Sequence, residues 1–142
     1  YWYNGKIYGT EITRGLDIFA LLPSEYLTEN EVAAALLADQ GELFNPQQQF
    51  RVTWPDVPVV ARAYMDQLAR NDGLDEQLLT ALNSALDRAD SLLDGNESDS
   101  SLAASIEELA AGLDSGNASS NSKRAVLANT LNGIAMSLAE GR

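Results

Sequence analysis

The chain has 142 residues, with 9 Lys and Arg against 21 Asp and Glu, giving a net charge of −12. That charge repels nucleic-acid phosphate and anionic membrane surfaces, so binding to either is not expected. Cysteine and histidine are both absent, which removes thiol nucleophiles, disulfides, imidazole bases and most zinc or copper sites.

The length allows one real core and one appended module, and 45% hydrophobic residues are enough to fill it. No run of about 18 apolar residues occurs, so membrane insertion is not expected. No charged and apolar leader precedes the first strand; if the protein is exported, its signal lies outside this chain.

All aromatic residues lie between Tyr1 and Tyr64, and the remainder is rich in Ala, Leu, Ser, Asp and Asn. Residues 1–21 predict three short antiparallel strands. Asn4-Gly5 suits a two-residue type I′ hairpin, which needs positive φ at both central positions. Lys6 to Glu11 then alternates, Thr13-Arg14-Gly15 turns the chain, and Leu16 to Leu21 forms the third strand. Such a meander is barely stable alone, and its edges want a partner.

Leu22 to Leu27 reads as a connector with one short turn. Thr28-Glu29-Asn30-Glu31 is a capping box that opens a helix running to about Asp39. Gly41 to Trp54 predicts an irregular or extended stretch anchored by Phe44, Phe50 and Trp54. Asp56 is expected to cap a helix with Pro58 in its first turn, running to about Arg70 with Val57, Val60, Ala61, Tyr64 and Leu68 on one face.

Asn71-Asp72-Gly73 stops that helix. The next, about Asp75 to Leu93, places Leu78, Leu82, Ala85 or Leu86, Ala89, Leu92 and Leu93 at helical spacing. A polar loop, 94–101, leads to a helix burying Leu102, Ile106, Leu109 and Leu113, broken at Ser115-Gly116-Asn117. The last helix, from Asn121 or Ser122 to Ala139, buries Val126 or Leu127, Leu131, Ile134 and Leu138. The expected fold is therefore mainly α, with an N-terminal antiparallel β-meander and a C-terminal antiparallel helical bundle. Its segments are 1–27 (meander and connector), 28–73 (helix, aromatic-anchored stretch, second helix) and 74–142 (helices completing the bundle).

Candidate chemistry is sparse. Asp94 to Asp99 offers oxygen ligands at alternate positions, the basis of a reading as a calcium-dependent surface module. However, Asp99 stands where an EF-hand loop needs Gly, and Ser105 where it needs a bidentate Glu. Asn96-Glu97-Ser98 and Asn117-Ala118-Ser119 match the N-glycosylation sequon in loops. Asp87 with Asp90, and Glu107-Glu108, are paired carboxylates of the sort used in acid–base catalysis, but helical spacing puts Asp87 and Asp90 on a solvated face beside Arg88. No catalytic, cofactor or metal residue is assigned. Trp2, Tyr3, Tyr8, Phe19 and Trp54 are the candidate interaction residues, by strand pairing or as an aromatic surface. Aromatics flanking strands are more often core, and here they are expected to join the strands to the connector and first helices.

YNGKIYGTEITRGLDIFALLPSEYLTENE, followed by FNPQQQFRVTWPDVPVVARAYMDQLAR, resembles the C-terminal part of bacterial secreted LVIVD-repeat proteins. In that family a β-propeller ends in the strand pair G-x-x-Y-x-(S/T)-E-x-x-x-G-L-D-(V/I)-F-x-L and a PSE-(Y/F)-L connector. Here the pattern is met by Gly5, Tyr8, Thr10, Glu11, Gly15, Leu16, Asp17, Ile18, Phe19 and Leu21, then Pro23, Ser24, Glu25, Tyr26 and Leu27. The resemblance covers about half the chain, residues 74–142 carry none, and the family's repeats are absent.

It implies an extracellular, periplasmic or envelope setting, a meander that ends a propeller blade, and a non-enzymatic interaction or scaffold role. The implied partner is an upstream β-propeller, in the same parent chain or a partner chain, or a second copy pairing through residues 1–21. A different class of function, an accessory segment completing a propeller-based enzyme whose active residues lie upstream, is also compatible with it.

Overall fold

The computed structural model describes residues 1–41, 47, 51–70, 74–113 and 121–141. The chain is mainly helical with a three-stranded antiparallel sheet at its N-terminal end. It comprises β1 (Trp2–Tyr3), β2 (Lys6–Glu11), β3 (Gly15–Phe19), α1 (Glu29–Leu36), α2 (Pro58–Ala69), α3 (Glu76–Asp94), α4 (Ser100–Gly112) and α5 (Asn121–Glu140). Two compact units result, 1–55 and 56–142. This division cuts through the segment 28–73 expected from sequence: α2 packs with α3 and α5 and so belongs to the helical bundle.

In the first unit the strands follow in the order β1-β2-β3. Asn4 and Gly5 form the β1–β2 turn with φ of 48° and 71°, as a type I′ hairpin requires. The connector closes as a turn in which Ser24 and Leu27 exchange backbone bonds of 2.8 and 3.3 Å. The capping box forms as expected: Thr28 Oγ1 accepts from the Glu31 amide, and Glu31 accepts from the Thr28 amide. Helix α1 stops at Leu36, earlier than its pattern suggests, and Asp39 instead forms a β-bridge with Thr53. Phe44 and Phe50 lie outside the described residues. Among the described residues of this unit only Glu31 and Ala34 are buried.

The second unit has a proper core. Helices α2 to α5 are joined by short connections, which makes sequential neighbours antiparallel, and α5 packs against α2, α3 and α4. Leu82, Leu86, Leu102, Ile106, Leu113, Leu127, Leu131, Ile134 and Leu138 are fully buried, each contributing about 1.5–3 kcal/mol through removal of apolar surface from water. Of the open pairs, Ala85 and Leu86 are both buried, and Leu127 is buried where Val126 is exposed. Asp75 and Asp99 cap α3 and α4 by accepting from amides in the first turn.

One cap differs from expectation. The residue at the N-cap of α2 is Val57, with no side-chain bond, because Pro58 at the first helical position forces its predecessor into extended backbone (φ −130°, ψ 155°). Asp56 lies one residue too early, and its side chain instead sits over Gly133 of α5. Helix α2 also buries Ala63 and Met65 besides Val60, Ala61 and Leu68, since it is flanked by both α3 and α5.

Candidate functional site

The sheet of the first unit is where the candidate residues gather, and its register assigns each to a face. Trp2 opposes Ile7, and Ile7 opposes Phe19; Tyr3 opposes Lys6, and Tyr8 opposes Ile18. Opposed residues of an antiparallel ladder share a face. Trp2, Ile7 and Phe19 therefore lie on one side, with Gly9 leaving room for the Phe19 ring, whose Cε2 would be 3.4 Å from a Cβ at that position. Tyr3, Tyr8, Leu16 and Ile18 lie on the other. There the Tyr3 and Tyr8 rings stand 6.4 Å apart, tilted by 50°.

The expectation that these aromatics join a core is corrected. No residue of the three strands is buried; Trp2 and Tyr8 are half-buried, and Tyr3, Phe19 and Trp54 are exposed. The five candidates are thus not one cluster. Trp2 and Phe19 share one face, Tyr3 and Tyr8 the other, and Trp54 follows the bridge made by Thr53.

The main chain is more informative than the rings. Tyr1 and Tyr8 exchange backbone bonds of 2.6 and 2.7 Å, so the polar groups of Tyr8 address β1. Main-chain groups alternate in direction along a strand, so Ile7, Gly9 and Glu11 address β3. Their opposed residues Phe19, Asp17 and Gly15 address β2 in return, leaving the N–H and C=O of Leu16 and Ile18 directed at the outer edge of β3. Among the described residues no strand lies beyond that edge. Both side chains are also 58% exposed.

The opposite edge is capped at one carbonyl. Trp2 is the β1 residue whose main chain points away from β2, and its carbonyl accepts a 2.8 Å hydrogen bond from Gln40 Nε2. Leu16 and Ile18 meet the strand motif in the sequence but are not among the candidate interaction residues, and Gln40 is not singled out. The alternation of strand direction identifies the first two once register is known, and the Gln40 contact spans 38 residues, beyond any local signal.

The β2–β3 turn is held by Glu11, whose Oε2 accepts from Thr13 Oγ1 at 2.6 Å, Arg14 N at 2.7 Å and Thr13 N at 3.0 Å. The Thr13 hydroxyl and then the Arg14 amide hold its carboxyl below the usual carboxylate range. Arg14 then reaches Asp17 at 3.1 Å.

The other sequence candidates resolve into structure. Asp87 and Asp90 both receive Arg62 of α2, at 2.7 and 2.6 Å, forming a fork that ties α2 to α3. Burial depresses the Arg62 pKa, but its hydrogen bonds to Asp90 and Asp87 outweigh this and raise it. Asp99 accepts from Ser101 N and Leu102 N through Oδ1 and from Arg88 through Oδ2, so the carboxylate of the supposed calcium loop is already engaged. Among the described residues no group of three or more acidic side chains is arranged to hold a metal ion. Asn96 is exposed in the α3–α4 loop at a φ of 54°, and the second sequon lies outside the described residues.

Comparison with protein-family models, curated proteins and solved structures found no match. No described helix is long and apolar enough to cross a membrane.

Proposed function

We propose that the chain is a non-enzymatic interaction domain of the bacterial envelope or extracellular space, whose three-stranded sheet is completed by a strand of a β-propeller. The observation that carries this reading is the open edge of β3, with the main chain of Leu16 and Ile18 directed outward beside exposed apolar side chains. A propeller blade has four strands. The meander supplies three and caps one carbonyl of its β1 edge with Gln40, which favours addition of the fourth at β3. The resemblance of Gly5 to Leu27 to the terminal strands and connector of LVIVD-repeat proteins points to the same partner, in the same parent chain or a partner chain. It also supports the extracellular or periplasmic location.

Strand addition would exchange main-chain hydrogen bonds at Leu16 and Ile18, each worth about 0.5–1.5 kcal/mol net, and cover the two side chains. The test is binding of the chain to an LVIVD-type propeller from its parent reading frame. Ile18→Pro removes an outward N–H while leaving the β2–β3 bonds, and is expected to weaken binding roughly tenfold, about 1.4 kcal/mol. Lys6→Ala, in the central strand β2 opposite Tyr3, leaves the outward main chain of β3 intact and is expected to leave binding unchanged. Equal binding by the proline variant, or self-association of the chain in place of propeller binding, contradicts the proposal.

A further inference from the structure

The sequence holds two Asn-Gly pairs, Asn4-Gly5 and Asn132-Gly133, and the fold places them in opposite circumstances. Asn-Gly is the dipeptide most prone to spontaneous deamidation, because glycine offers no side chain to shield its backbone nitrogen. That nitrogen attacks the asparagine Cγ, a new C–N bond forms, the N–H proton is lost and the side-chain nitrogen leaves as ammonia. Water then opens the five-membered imide at either carbonyl to give aspartate or isoaspartate. The net change is Asn plus water to an acid plus ammonia, with no oxidant or cofactor.

Asn4 is exposed at the tip of the β1–β2 hairpin, and Gly5 is a turn residue outside the ladder. Asn132 is also exposed, so exposure does not separate the two. What separates them is the following amide. Gly133 lies within α5, where its N–H belongs to the helical i to i−4 series, and it is packed beneath Asp56. Its neighbours Leu131 and Ile134 are fully buried, so freeing that nitrogen means unwinding a helix turn inside the bundle core.

We infer that Asn4 is a site of spontaneous deamidation that converts the β1–β2 turn into an acidic, and in part isoaspartyl, linkage, while the fold protects Asn132. The consequence is structural. An isoaspartyl linkage runs the main chain through Cβ and lengthens a turn fitted for two residues of positive φ. Gly5 also sits so close to α1 that a Cβ there would be 2.9 Å from Leu36 Cδ2, leaving little room for the lengthened turn. Loss of the turn releases β1, a strand of two residues with no other ladder partner among the described residues.

Incubation of the intact chain in warm, mildly alkaline buffer, followed by peptide mapping with mass spectrometry that separates aspartyl from isoaspartyl products, tests this. The expected result is accumulation of both products at Asn4 at least tenfold faster than at Asn132, and comparable rates at the two sites in concentrated urea. Conversion at Asn4 no faster than at Asn132 in the folded chain, or a difference that persists unchanged in urea, overturns the inference.

Discussion

Gly133 is closely covered by Asp56: a Cβ on Gly133 would collide with the Asp56 side chain. Gly133→Ala is therefore expected to cost about 1–3 kcal/mol, read as a lowered denaturation midpoint of residues 56–142, and Asp56→Gly in the same chain should recover most of it. Asp56 is exposed as a whole residue, but partial burial of its carboxyl raises its pKa. A raised folded-state pKa means that the contribution of this group is most favourable below the ordinary aspartate value and is lost as pH rises through the folded value. Asp56→Asn should then stabilise the protein slightly at neutral pH, with the gain vanishing in acid; urea unfolding across that range checks it. A gain that grows on acidification would contradict the assignment. Asp56 also marks a limit of local reading, since an acidic residue ahead of Pro58 looks like a cap until the extended backbone required before proline moves the cap to Val57.

The helices show which signals a sequence carries well. Leu82, Leu86, Leu102, Ile106, Leu131, Ile134 and Leu138 are legible from three-and-four spacing because a buried stripe is a local periodicity, and the Thr28 capping box and the Asn4-Gly5 turn are legible for the same reason. Ala63 and Met65 were not, because α2 buries a wider arc only when α3 and α5 flank it. The Arg62 fork to Asp87 and Asp90 joins residues 25 and 28 positions apart, which no local pattern announces. In α5 the choice between adjacent residues is set by tertiary packing. Leu127→Ala should cost about 2–5 kcal/mol, whereas Val126→Ala, at an exposed position, should stay within about 0.5 kcal/mol. Chemical denaturation of the two variants distinguishes these outcomes directly, and equal losses would mean the register of α5 is wrong.

The two compact units differ in how they gain stability. Residues 56–142 hold a continuous apolar core, whereas the described residues of 1–55 bury only Glu31 and Ala34 and leave every strand residue at least partly exposed. Small sheets without a covered face are marginal on their own. Residues 56–142 expressed alone are expected to keep cooperative, helical unfolding, and residues 1–55 alone are expected to lack it; circular dichroism on heating reads both, and a cooperative transition in the short piece would show that it has a sufficient core. The candidate site was legible in the sequence only as an N-terminal meander with partner-seeking edges. Which edge is the more open depends on the Trp2–Gln40 contact and on the ladder phase set by Tyr1 and Tyr8, both features of the folded chain. Amide hydrogen exchange at Leu16 and Ile18, measured for the chain alone and with an LVIVD-type propeller, tests strand addition at β3 most directly. Fast exchange at both amides in the chain alone and strong protection of both in the complex is the predicted result; protection already present in the isolated monomer, or none gained on mixing, would contradict it.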